Sequence, residues 1–317
     1  MISMFKKPVT VNVLKRYTGW VLDGLIRDAA SYNKVPIRWN VFSSRKLDFR
    51  DFRVIRSEIV PYRGAISIFG HHDSYFKVHN REFTSNSMNR IFLTHLNEGR
   101  EFSEIEIELL SNTDRLFVQN MRYRQELVSR GIPESKIFQA PGAIDRNVFF
   151  PLEQPPQTEY VLISGFFKYR KNPDLYSEVI QSLPETNFII HGKYLSEFPA
   201  GLLEKNPNVT WIDFKYSNHP LLVRNSSLYL SLSRIEGGPI GILEALASGV
   251  PVVATDTGFA SEYLTSDNGY LLKNLPDAKD VATAVQMILE RHRNSRRQDF
   301  LGGRLTWEEL ARTFFDA

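Results

Sequence analysis

The 317-residue chain contains no cysteine. Disulfide staples, thiol nucleophiles and cysteine-ligated metals are therefore excluded, and the expected setting is a reducing one, the cytoplasm. Long apolar runs are missing too: none approaches the roughly 18 residues of a membrane span, and no apolar signal segment stands near Met1. A soluble protein is expected, at most peripheral to a membrane. Charge of one sign is also scarce, because 39 Lys and Arg stand against 36 Asp and Glu for a net +3. That leaves only a slight preference for anionic partners such as nucleotides, acidic lipids or nucleic acid. Internal repeats and low-complexity tracts are absent. No Gly-x-Gly-x-x-Gly follows the first apolar run, which argues against a nicotinamide dehydrogenase.

What is present is an ordinary globular composition, 42% hydrophobic and 24% charged. The length suits two domains of about 150 residues each. In the first half, the apolar runs at 11–14, 65–69, 91–94 and 116–118 predict strands, and the spacing of Val21, Leu22, Leu25, Ile26 and Ala29 predicts a helix. A second helix is predicted over Arg122–Arg130, with Gly131 closing it. The proline-rich stretch 151–157 reads as the linker. Beyond it, strands are predicted at 160–163, 188–190, 209–212, 228–232, 252–254 and 270–272, and helices at 174–182, 240–247 and 277–290. Strand alternating with helix implies parallel sheets covered on both faces. Thr306-Trp307-Glu308-Glu309 has capping-box spacing ahead of a final helix. The expected division is 1–150, 151–300 and a terminal helix in 301–317, with a ligand at the carboxyl ends of the strands, in the crevice between the domains.

The residues with most chemical content lie at 231–262. Glu236 follows a strand, Gly237, Gly238 and Pro239 make a turn, and Glu244 falls early in the helix that begins at Ile240. Glycines here, Gly241 included, let backbone N–H groups approach a ligand, and a helix N-terminus favours phosphate. An isolated Glu-Gly-Gly-Pro would be explained better by a plain turn with solvated glutamates.

The whole run from Glu236 through Glu244 to Thr255 resembles the donor signature of family 4 retaining glycosyltransferases (glycosyl transferases group 1). Ser135 to Asp145, followed by Phe150-Pro151, is similar to the segment that closes that family's first domain. The resemblance covers most of residues 90–275. It implies an α/β GT-B fold, two Rossmann-like domains whose parallel sheets face a central cleft. It also implies metal-independent transfer of a sugar from a nucleoside diphosphate donor to an acceptor hydroxyl, with retention and no other cofactor.

By the same resemblance, Glu236 matches the glutamate on the transferred sugar, Glu244 the one on the ribose, and the backbone amides around Gly237, Gly238 and Ile240 hold the distal phosphate, with Pro239 among the donor-binding residues of the same turn. Gly165 and Lys171 match a glycine and a lysine that reach the diphosphate. Phe166 stands where the family has arginine, so Lys168 or Arg170 is expected to supply that charge; a solvated basic loop is the alternative. Gly19 fits the family's first loop, and a plain strand-to-helix turn explains it almost as well. His95, at the end of a predicted strand, matches a histidine that approaches the donor sugar. The pair His71-His72 lacks a third ligand at metal spacing, so zinc is not expected.

The basic cluster Arg45-Lys46, Arg50, Arg53 and Arg56 is interleaved with Phe49 and Phe52, which suits lipid headgroups or a nucleic acid backbone as well as a solvated face. The acceptor is expected to be a glycan or lipid-linked glycan. A hydroxylated base in DNA is the narrower alternative. A non-catalytic nucleotide- or polyanion-binding protein is the rival from another class, and Phe166 is the residue that feeds it.

Overall fold

A computed structural model describes residues 9–15, 21–32, 37–43, 66–69, 76, 88–93, 102–154, 158–273 and 276–315, and in its second half strand and helix alternate. The chain divides into two units, 1–143 with 306–317 and 144–305.

The first unit contains β1 (Val9–Lys15), α1 (Val21–Ser31), β2 (Ile37–Ser43), β3 (Ile66–Phe69), β4 (Met88–Leu93), α2 (Glu104–Ser111), β5 (Arg115–Val118), α3 (Met121–Ser129) and β6 (Ile137–Gln139). Its strands form one parallel sheet in the order β2-β1-β3-β4-β5-β6. Helix starts are set locally. Ser103 and Glu106 form a reciprocal capping box on α2, and the Asn120 side chain accepts from the Tyr123 amide at 2.8 Å on α3.

The second unit contains β7 (Val161–Phe166), α4 (Pro173–Ser182), β8 (Phe188–Lys193), α5 (Leu202–Lys205), β9 (Val209–Asp213), α6 (His219–Asn225), β10 (Leu228–Ser231), α7 (Ile240–Ala247), β11 (Val252–Thr255), α8 (Ala260–Tyr263), β12 (Gly269–Leu272) and α9 (Ala278–His292). The sheet is parallel, in the order β12-β11-β10-β7-β8-β9, the doubly wound Rossmann arrangement. Alternation along its strands explains its two cores. Val161, Ile163, Leu228, Leu230 and Val253 bury on one face with Val179, Ile180, Val285 and Ile288. Leu162, Tyr229, Val252 and Ala254 bury on the other with Leu243 and Leu246.

The last helix, α10 (Trp307–Phe315), begins with the expected capping box: Thr306 N donates to Glu309 Oε2 at 2.9 Å and Glu309 N to Thr306 Oγ1 at 3.2 Å. It is part of the first unit, not a separate terminal element. Phe314 packs between Phe92 and Phe117, with the Phe117 centroid at 4.9 Å, and buried Arg90 donates to the Phe314 carbonyl. The break between units also falls earlier than the proline-rich stretch. Ile144 N donates to Leu305 O at 2.9 Å, and Phe149 is buried with Tyr160, Val223 and Leu243, so residues 144–150 already belong to the second core. Pro151 is half-buried ahead of β7, and residues 155–157, with the other two prolines, lie outside the described residues.

Candidate active site

In the second sheet β7 and β10 are neighbours, although the chain visits β8 and β9 between them. From β7 the chain turns to one side, and from β10 to the other. At such a switch point the loops leaving the carboxyl ends diverge, and open α/β sheets place their ligands there. The two loops, 167–172 and 232–239, carry most of the predicted donor residues.

They are tied into one unit. Arg234 N donates to Arg170 O at 2.8 Å, and Arg234 Nε to Asn172 Oδ1 at 2.9 Å, with the Arg234 guanidinium 4.4 Å over the Tyr169 ring. Tyr176, fully buried behind them, accepts from Leu232 N at 2.8 Å. Asn172, at φ 59°, ends the tight 3-10 turn Tyr169–Lys171 and leads into α4, where Pro173 sits in the first turn.

Glu236 is the hub. Its side chain is buried, and Oε2 accepts from Arg170 Nη1 at 3.0 Å. Ser233 Oγ donates to Oε1 at 2.9 Å, and Lys171 Nζ forms a direct ion pair with the same oxygen. A buried carboxylate needs such partners to stay charged. Residues 234–239 then swing over the sheet to α7, which has Pro239 at its N-cap and no side-chain cap, so the positive end of its dipole adjoins the same loop.

Two glycines here answer to packing. A Cβ on Gly241 would stand 2.1 Å from the Tyr229 hydroxyl, so this glycine makes room for a buried tyrosine. Gly258, at φ 57°, would press a Cβ to 2.8 Å from Pro239 Cδ and 2.9 Å from Gly237 O; it supports the turn from beneath.

Glu244 is buried one helical turn into α7. His219 Nε2 lies 2.9 Å from its Oε2, and Tyr216 Oη donates to Oε1 at 3.5 Å. Behind His219 stands His191, wholly buried in the second half of β8, with the two Nδ1 atoms 3.3 Å apart. Burial and the neighbouring His219 push His191 down to about 4 from an ordinary 6.5, so it is neutral at pH 7. Sequence reasoning missed both histidines. His191 carries a signal close to the one used for His95, a histidine toward the carboxyl end of a strand, whereas His219 meets Glu244 only through the fold.

Gly165 is the next-to-last residue of β7, with the Lys171 side chain packed beside it. Phe166 is exposed and packs edge-on against Phe214 at 5.2 Å and Tyr194 at 6.3 Å, with Lys193 Nζ 4.9 Å over its ring. Of the two candidates for the missing charge, Arg170 reaches Glu236 while Lys168 lies over the Tyr194 ring at 5.1 Å. Gly19, His71, His72 and His95 lie outside the described residues. Among the described residues no group of three His, Asp or Glu could hold a metal ion, and no helix is long and apolar enough to cross a membrane.

Residues 145–300 match the family model for glycosyl transferases group 1. The chain is 25% identical over 206 residues to one of the subunits of the phosphatidylinositol N-acetylglucosaminyltransferase of Arabidopsis thaliana, covering 62% of this chain and 44% of that protein. It is 28% identical over 149 residues to the lipopolysaccharide core biosynthesis mannosyltransferase LpsB of Rhizobium meliloti (strain 1021), covering 43% and 42%. The match thus spans less than half the length of these curated relatives. In fold it is similar to Anabaena Alr3699/HepE, solved in complex with UDP and glucose (TM-score 0.67, 13% identity, 97% of this chain and 96% of that one). It is also similar to sucrose-phosphate synthase (tll1590) from Thermosynechococcus elongatus (TM-score 0.72, 13% identity, 96% of each). The fold is that of the GT-B glycosyltransferases.

Proposed function

We propose that this protein, whose residues 145–300 match the family model for glycosyl transferases group 1, transfers a sugar from a nucleoside diphosphate donor to an acceptor hydroxyl. The diphosphate lies over the loops that follow β7 and β10. Lys171 and Arg170 balance the charge that grows on the leaving diphosphate as the anomeric bond breaks, helped by the first turn of α7. With that charge met by side chains and a helix end, the transfer needs no metal and no other cofactor. Glu236 accepts from hydroxyls of the transferred sugar, and Glu244 from those of the ribose, the roles the resemblance implies for these positions.

Retention follows the same resemblance. The acceptor hydroxyl enters on the face from which the diphosphate departs, its proton passing to a departing phosphate oxygen, and the protein forms no covalent sugar intermediate. The acceptor is a glycan or lipid-linked glycan, which the names of the two relatives, one acting on phosphatidylinositol and one in lipopolysaccharide core synthesis, support. A lipid-linked acceptor would bring the protein to a membrane surface.

The observation that carries this reading is Glu236, buried at the sheet's switch point between Lys171, Arg170 and Ser233. A solvated turn would not gather two cations on one buried carboxylate. The test is release of nucleoside diphosphate from a panel of UDP-, GDP- and ADP-sugars, with and without glycan and lipid-linked acceptors. Acceptor-stimulated release from one donor is expected. Tight nucleotide binding with no turnover on any donor would favour the non-catalytic reading.

A further inference from the structure

A chain of buried hydrogen bonds fixes the proton on every ring nitrogen behind Glu244. A backbone amide can only donate, and Lys215 N lies 3.1 Å from His191 Nε2, so that nitrogen is unprotonated. Neutral His191 therefore carries its proton on Nδ1 and donates it to His219 Nδ1. His219, accepting there, carries its own proton on Nε2, which donates to Glu244 Oε2 at 2.9 Å.

The alternatives conflict with the contacts. A proton on His219 Nδ1 alone would set a bare Nε2 against a carboxylate. A doubly protonated His219 would set two N–H groups against each other across 3.3 Å. Ser164 Oγ, 3.4 Å from His219 Nδ1, donates to His191 O at 3.2 Å. The titratable groups facing His219 are His191 from β8, Tyr216 from the turn before α6, and Glu244 from α7. Phe214, stacked on His191 at 4.6 Å, and Phe149, edge-on to His219 at 6.1 Å, close the remaining sides.

We propose that His219, oriented by His191, is a positioning residue for Glu244: its Nε2–H holds Oε2, leaving Oε1, beside the Tyr216 hydroxyl, to accept from the ribose hydroxyls of a nucleoside diphosphate. The inference rests on the reading of Glu244 as a ribose ligand. Because the relay is anchored on a backbone amide, the carboxylate keeps one orientation.

The test compares wild type with His219→Gln, whose side-chain amide can replace the Nε2–H donor, and with His219→Asn, whose amide reaches only as far as Nδ1. Binding of UDP, GDP and ADP and of their 2′-deoxy counterparts is measured by calorimetry, with KM and kcat for the best donor. His219→Asn should weaken ribonucleotide binding about tenfold and lose the preference over the deoxy form, with kcat at saturation nearly unchanged; His219→Gln should retain most of both. Equal ribose preference in all three proteins overturns the proposal. A wild type that binds none of these nucleotides overturns the donor reading and this inference with it. Nitrogen-15 shifts of wild-type histidines give a readout that needs no variant: His219 protonated on Nδ1 at pH 7 contradicts the relay.

Discussion

Arg170 Nη1 stands 3.0 Å from Glu236 Oε2, an ion pair between a cation suited to phosphate and a carboxylate suited to sugar hydroxyls. With Lys171 on the other oxygen, Glu236 neutralises the charges a diphosphate would use. On the proposed reading the carboxylate and the diphosphate share these cations, and that sharing would give opposite signs to two effects of one substitution. Glu236→Gln should bind nucleoside diphosphate several-fold more tightly, yet transfer sugar about a hundredfold more slowly, because a contact to the reacting sugar is gone. Calorimetry and turnover on the same preparation check both; a fall in both contradicts the shared-cation account.

Arg170 and Lys168 are separated by the same geometry. Arg170→Ala should weaken nucleoside diphosphate binding by about tenfold, the loss of one charge-assisted contact, whereas Lys168→Ala should change it by less than about twofold. Equal losses would mean that Lys168 leaves Tyr194 for the ligand.

Gly241 should tolerate nothing larger. Gly241→Ala drives a methyl into the buried Tyr229 hydroxyl and should cost about 1–3 kcal/mol in a denaturant melt. Adding Tyr229→Phe should recover part of that loss. An unchanged midpoint in the single variant would show that the space exists.

His191 sets a pH dependence. Its folded pKa is lowered, to about 4 against 6.5. The unfolded chain therefore binds the proton more readily, and the stabilisation is complete above about pH 6.5 and declines as pH falls toward 4. Between pH 7 and pH 5 the second unit should lose about 2 kcal/mol from this group. His191→Asn, less stable overall, should show a shallower slope in the same window; an equal slope assigns the dependence to other groups.

The core strands were legible because parallel strands buried on both faces read as compact apolar runs, as Val161–Ile163 and Val252–Ala254 do. β2 and α6 escaped notice for the opposite reason. Ile37–Ser43 mixes Arg38 and Asn40 among its apolar residues, and His219–Asn225 is two turns long with Pro220 near its start. Proline composition near 151–157 misplaced the boundary, because the tertiary burial of Ile144 and Phe149 settles it. In the site, Glu236, Lys171 and Glu244 were visible as spacing around a glycine turn. Arg234 and the two histidines were not, since their meaning comes from partners 24 to 62 residues away along the chain.

The central claim is that nucleoside diphosphate binds at the carboxyl ends of β7 and β10. Its most direct test is an amide hydrogen-exchange footprint of the protein with and without a saturating nucleoside diphosphate. Protection confined to the loops 165–172 and 232–241 and the start of α7 is the predicted result. Protection at the opposite, amino ends of these strands, with those loops unchanged, would contradict it.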